Sequence, residues 1–285
     1  MRHAALLGLV VSAAMSTPAL AAYTNNIMIT GYWPPTNEMV RRFSTSTTQN
    51  PLGWIGNNWE GRGYNIHSFF PEFPGGTATN PQGNGDFEVD YQDTSADWWR
   101  ITNDIKPVAI ITFSRGSNGS NWEVEYRTKN RATWVADYTA PFQPTPSPPD
   151  SSVPAEAIRF STLPMQNIVN NVNAAGLGVP AFIDTNSANL AGGFLSEFIG
   201  YHGSWYQSIH SDPSDPAWSV AAGHIHVGIN TPTAAAEQAT LITLRTLIDH
   251  VNTIVPSPGV GSLALGGLAL GAMRRRRQSG ASVRR

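Results

Sequence analysis

Cysteine is absent from the 285 residues, so the chain has no disulfide framework, no zinc–thiolate site and no thiol nucleophile. Charge is scarce as well: Asp, Glu, Lys and Arg make up 13% of the sequence, against about 25% in an average soluble domain. Walker A and dinucleotide-binding fingerprints are missing, as are a G-x-S-x-G elbow, an H-E-x-x-H pair and any fixed-period repeat. Apolar side chains, by contrast, are plentiful. A content of 41% hydrophobic and 10% aromatic residues excludes a disordered chain and supplies a packed core, while 26 glycines and 21 prolines point to many loops.

Both ends read as address labels rather than fold. Residues 1–21 place Arg2 before an apolar run and end in Ala19-Leu20-Ala21, the order of a secretory signal with a small-x-small cleavage site. Residues 255–285 contain Pro256-Ser257-Pro258-Gly259, an apolar stretch of 14 residues over 260–273, and arginines at 274–277. That stretch is shorter than the roughly 20 residues of a spanning helix. This tripartite ending resembles the PEP-CTERM class of bacterial sorting tails, which implies a temporary anchor removed by a membrane protease. Export to the bacterial cell envelope or beyond is the expected localisation. The core over 22–254 keeps 11 basic residues against 20 acidic ones. Nucleic acid is thereby an unsuitable partner, because neutralising phosphates requires clustered Lys and Arg.

Within that core, apolar runs too short for helices alternate with longer periodic stretches. This pattern predicts an α/β fold with a mostly parallel sheet in one large domain. The strand candidates are 26–31, 64–70, 107–113, 181–185 and 224–229; the helix candidates are 38–43, 95–104, 164–175, 191–205 and 234–254. Pro164 opens the third helix and Gly176 follows its end, as boundary rules expect. The long Gly/Pro-rich connections 71–86 and 139–153 have the character of lids or binding loops.

Three groups of residues carry chemistry. Ser196 follows Ala191-Gly192-Gly193-Phe194-Leu195 near the start of a predicted helix, whose backbone N–H groups suit a developing oxyanion; the plain alternative is a surface serine. His224 and His226 share one strand face by period-two geometry, as metal ligands or with one of them as a catalytic base. Glu123 and Glu125 likewise share a side, either to orient a histidine or as solvated carboxylates.

Taken together, these positions resemble the pyroglutamyl peptidase I (pyrrolidone-carboxylate peptidase) superfamily. Phe160-Ser161-Thr162-Leu163-Pro164 is similar to its F-S-T-L-P segment, and Asn189 with Ala191 to Ser196 to its S-N-T-A-G-x-F-V-C segment, Tyr201 following at the matching distance. Thr30-Gly31-Tyr32, Asn50-Pro51, Glu125 with Asn130, and Gly223 to Val227 resemble further family blocks in the same order. The resemblance implies a three-layer α/β/α sandwich with a mostly parallel mixed central sheet. It also implies a triad in which Ser196 takes the place of the family's cysteine, His226 is the base and Glu125 orients it. His224 stands outside that triad.

The departures are as specific as the matches. Glu197 stands where an asparagine usually follows the nucleophile. The family's T-G-F-E-P-F turn becomes Thr30-Gly31-Tyr32-Trp33-Pro34-Pro35, and its G-Q-A-G-G-R loop becomes 113–119 with Arg115 and no glutamine. Tyr32, Arg115 and Leu195 are the expected substrate-binding positions, with pyroglutamate specificity lost and Arg115 suited to a carboxylate or phosphate. The expected function is therefore an exported hydrolase of small peptide, amide or ester substrates that uses no cofactor and no metal. The alternatives are an inactive relative that binds a ligand or protein in the envelope, and a metal-dependent hydrolase built on His224 and His226.

Overall fold

The computed structural model describes residues 23–116, 118–185 and 190–255. The expected signal at 1–21, Asn189, and the sorting tail apart from Val255 lie outside the described residues. Six strands form the main sheet: β1 (Asn26–Thr30), β2 (Asn65–Phe69), β3 (Ala109–Arg115), β4 (Trp122–Glu125), β7 (Ala181–Asp184) and β8 (Ala221–Val227). Their order is β2-β1-β3-β8-β4-β7. The first four are mutually parallel, and β4 turns the direction by pairing antiparallel with β8 and parallel with β7. β5 (Arg127–Lys129) and β6 (Ile158–Phe160) make a separate two-stranded ribbon. This is the expected mixed, mostly parallel α/β architecture.

Helices cover both faces. α1 (Thr36–Val40), α3 (Met165–Ala174) and α5 (Thr233–Ile254) lie on one side, α2 (Tyr91–Ile105) and α4 (Leu195–Ile209) on the other. Strand alternation decides what each side receives. Ile27, Ile29, Ile111, Phe113, Trp122 and Ile225 point to the α5 side, where they pack with Leu244, Leu247 and Val251. Met28, Ile110 and Ala222 point the other way, toward Trp98, Phe198 and Ile199. None of the helices among the described residues is long and apolar enough to cross a membrane.

Local chemistry sets the helix ends. α2 starts four residues before its apolar periodicity because the Asp90 carboxylate accepts from the N–H groups of Gln92 and Asp93, both at 2.8 Å. α3 runs from just after Pro164 to just before Gly176, whose φ of +64° lies in the left-handed region that favours glycine. β4, β5 and β6 were absent from the strand candidates, although 123–125 was read as extended. Charged residues interrupt each of them, so no apolar run marks them.

Candidate active site

The carboxyl ends of β1, β3 and β8 lie side by side, the usual place for a ligand in an open α/β sheet. At the end of β8, the His226 Nδ1–H donates to Glu125 Oε1 at 2.7 Å. His226 is 7% exposed and Glu125 3%. The carboxylate fixes the tautomer and ring orientation, and no hydrogen bond from the described residues occupies Nε2. Register explains the meeting: Glu123 stands opposite His226 across the antiparallel β4–β8 pair, and Glu125 lies two residues along the same face. Asn121 Nδ2 donates to Glu123 Oε1 at 3.0 Å. Burial raises the Glu123 carboxyl above its ordinary pKa, and nearby His226 opposes that rise.

Glu123, Glu125 and His226 bring three ligand-capable atoms within 4.8 Å of one another, a group able to hold a divalent cation. His224, the partner expected in a metal reading, is not in this group. Its Nδ1 and Nε2 each lie 2.8 Å from a hydroxyl, those of Thr112 and Ser114, and it is fully buried. Burial, followed by the neighbouring His226, drives its pKa well below the ordinary histidine value. A neutral imidazole with one donor and one acceptor, each matched by a hydroxyl, is a finished structural unit.

Helix α4 is laid directly on these histidines. A Cβ at Gly200 would sit 3.0 Å from His224 Cβ and 3.2 Å from Thr128 Cγ2. Gly203, one turn on, faces Thr112 and Ile110. The helix thus runs against the direction of β3 and β8. Ser196, one turn before Gly200 on the same helix face, is thereby displaced toward the carboxyl ends of these strands. The step is about 6 Å along the helix and roughly 6.6 Å for two residues of strand, so the positions stay in step. Ser196 is partly buried, and among the described residues its hydroxyl makes no hydrogen bond with His226. Hydroxyl–imidazole contacts of this kind are often long without substrate.

Glu197 anchors the same helical turn. Its Oε1 accepts from the Lys129 N–H and its Oε2 from Arg131 Nε, each at 2.8 Å. Complete burial pushes its carboxyl up to about 7, outweighing the Arg131 guanidinium. The residue that follows Ser196 is therefore a carboxyl that ties α4 to β5. Phe194, at the N-cap, offers no side-chain acceptor to the first-turn N–H groups.

Arg115, Tyr32 and Leu195 are placed differently from one another. Arg115 ends β3 and holds its guanidinium 4.3 Å from the centroid of the Trp33 ring. Trp33 Nε1 donates to the Pro81 carbonyl at 2.7 Å, and the ring packs with Tyr138 and Phe194 at 6.2 and 6.4 Å. Tyr32 is only 3% exposed; its hydroxyl shares a 2.8 Å hydrogen bond with Thr94, and burial drives its pKa far upward. Leu195 is 1% exposed. These two expected contacts lie beneath the surface, and the accessible ring next to them is Trp33. The turn decides this, since the Tyr32 N–H is tied to Thr36 Oγ1 at 2.9 Å. The sequence signal for Trp33 is an arginine and a tryptophan at neighbouring strand ends.

No protein-family model matches the chain, and no curated protein does. Solved structures do. Pyrrolidone carboxyl peptidase from Thermococcus litoralis superposes with a TM-score of 0.57 at 18% identity, over 82% of this chain and 98% of that one. The pyrrolidone carboxyl peptidase from the hyperthermophile Pyrococcus furiosus gives a TM-score of 0.54 at 16% identity, over 79% of this chain and 99% of that one. The fold of this chain is the fold of the pyrrolidone carboxyl peptidases.

Proposed function

We propose that the protein is an exported hydrolase of amide or ester bonds in small peptides or related substrates, with Ser196 as nucleophile, His226 as general base and Glu125 as the group that orients it. The observation that carries this reading is the 2.7 Å His226–Glu125 hydrogen bond at the carboxyl end of β8. In the reaction, Ser196 Oγ attacks the substrate carbonyl carbon and its proton passes to His226 Nε2. The imidazolium that forms is stabilised by Glu125. First-turn N–H groups of α4 face the developing oxyanion. Collapse of the tetrahedral intermediate expels the amine or alcohol, which takes the proton from His226. Water, deprotonated by the same histidine, then releases the acyl group from Ser196. Shared fold with peptidases supports the reaction class, whereas the changed turn and loop argue against pyroglutamate as substrate. A sorting-tail protease in the membrane is the processing partner.

A fluorophosphonate probe should label the mature protein at Ser196. Labelling that survives Ser196→Ala removes the mechanism, and turnover abolished by chelation would reassign the site to a cation on Glu123, Glu125 and His226. The missing Ser196–His226 hydrogen bond favours one second reading, an envelope binding module that keeps the cleft without its chemistry. Turnover of any peptide or ester that Ser196→Ala abolishes would exclude it.

A further inference from the structure

Most arginines among the described residues are neutralised. Seven of the nine in the described residues lie within 4 Å of a carboxylate oxygen. Arg115 does not, although it is half-buried and burial lowers its pKa. What holds it is a ring: its guanidinium carbon sits 4.3 Å from the Trp33 centroid, and Trp33 is itself pinned to Pro81. Stacking fixes the plane of a guanidinium without consuming its in-plane N–H groups. A positive fork held in place and left without a counter-ion is pre-organised to receive one.

Its position ties it to the reacting groups. Ser114, the preceding residue, is the register partner of His226, and a Cβ at the following Gly116 would lie 3.0 Å from His226 Cβ. Phe194, which packs on Trp33, comes two residues before Ser196. Tyr138 closes the third side, 6.2 Å from both Trp33 and Phe194. The result is an aromatic collar of Trp33, Tyr138 and Phe194 beside one cation at the end of β3. A single planar fork matches the two oxygens of a carboxylate. A phosphate dianion asks for more positive charge than one arginine, and neither described lysine, Lys106 or Lys129, forms part of the collar.

Building on the hydrolase reading above, we propose that Arg115 is the specificity-determining residue of the cleft and that the substrate carries a carboxylate close to the scissile carbonyl, as in an acidic aminoacyl or dicarboxylic acyl group. The apolar part of that group lies against Trp33 and Phe194, while its carboxylate takes two N–H donors from Arg115. Pairing of this kind discriminates strongly against the neutral amide analogue, because an unpaired guanidinium remains when the carboxylate is missing.

The test compares matched esters differing only in carboxylate against carboxamide, such as glutamyl against glutaminyl and aspartyl against asparaginyl. Expected is a kcat/KM ratio of at least about tenfold in favour of the acids, falling toward one in Arg115→Gln and partly kept in Arg115→Lys, with the change mainly in KM. Equal turnover of acid and amide by the parent, or a ratio that Arg115→Gln leaves intact, overturns the proposal. A second arm separates it from the hydrolytic mechanism: calorimetric binding of glutarate to Ser196→Ala, compared with the Ser196→Ala/Arg115→Gln double variant. Glutarate bound in the first and lost in the second supports the subsite even where no ester is turned over. Glutarate binding unaffected by the second substitution, or absent from both, counts against it even where neutral esters are cleaved.

Discussion

The two faces of the central sheet are built from the same strands and hold opposite chemistry. Toward α5, β3 and β8 present Ile111, Phe113, Ile225 and Val227, all fully buried among apolar side chains. Toward α4 the alternate positions of the same strands are Thr112, Ser114, His224 and His226, also almost fully buried. Burying polar groups so densely costs stability unless each finds a partner. The partners are there: hydroxyls for His224, a carboxylate for His226. Polar partnership and two closely packed glycines, Gly200 and Gly203, let α4 lie where a larger apolar helix face would leave those groups unsatisfied. One face stabilises; the other positions.

Substitutions on the two faces should therefore separate turnover from stability. Glu125→Gln keeps the size of the side chain but removes the charge that holds the imidazolium. We expect kcat to fall by about 10²–10⁴-fold with KM little changed, by analogy with loss of the acidic member in other triads. A kcat within threefold of the parent would make Glu125 a structural partner only. On the opposite face, Leu247→Ala truncates a fully buried α5 side chain. Denaturant titration should show a loss of about 3 kcal/mol while kcat, measured well below the unfolding transition, stays near the parent value. If Leu247→Ala reduces kcat as much as Glu125→Gln does, the division between faces fails.

The sequence made one of these faces more legible than the other. Apolar runs mark β1 and β3, and alternation or short apolar stretches mark β2, β7 and β8, because every strand buries at least one face in hydrophobic residues. Those runs and the helix boundary signals suffice for the architecture. β4 escaped the strand candidates because alternate positions carry Glu123 and Glu125, so half of its signal reads as solvent-facing. The pairing of Glu125 with His226 was expected from the resemblance to a family, since no local spacing links residues 101 positions apart. What stayed hidden was orientation. Tyr32 and Trp33 are adjacent in sequence, and a single hydrogen bond from the Tyr32 N–H to Thr36 determines which ring is buried and which faces Arg115. Likewise, His224 and His226 are equivalent by periodicity and become distinct only when Thr112 and Ser114 are seen against the first of them.

The last effect concerns the cost of the polar face itself. Glu197 is completely buried, and its carboxyl is pushed up to about 7 by that burial despite the Arg131 guanidinium 2.8 Å away. From an ordinary glutamate value of about 4.5 up to about 7, the unfolded chain has released the proton that the folded chain still holds. Unfolding then releases a proton, so stability falls as pH rises through this window, by up to about 3 kcal/mol. Glu197→Gln removes that dependence while leaving other shifted carboxyls, such as the half-buried Asp93, to titrate as before. Relative to the parent, the variant should gain stability as pH rises from 5 to 8, because only the parent must lose the proton that burial favours. Thermal unfolding of both proteins across this range measures the difference directly. A variant that instead loses stability relative to the parent as pH rises would show that the ion pair with Arg131 outweighs desolvation, and that the first turn of α4 is held by charge rather than at its expense.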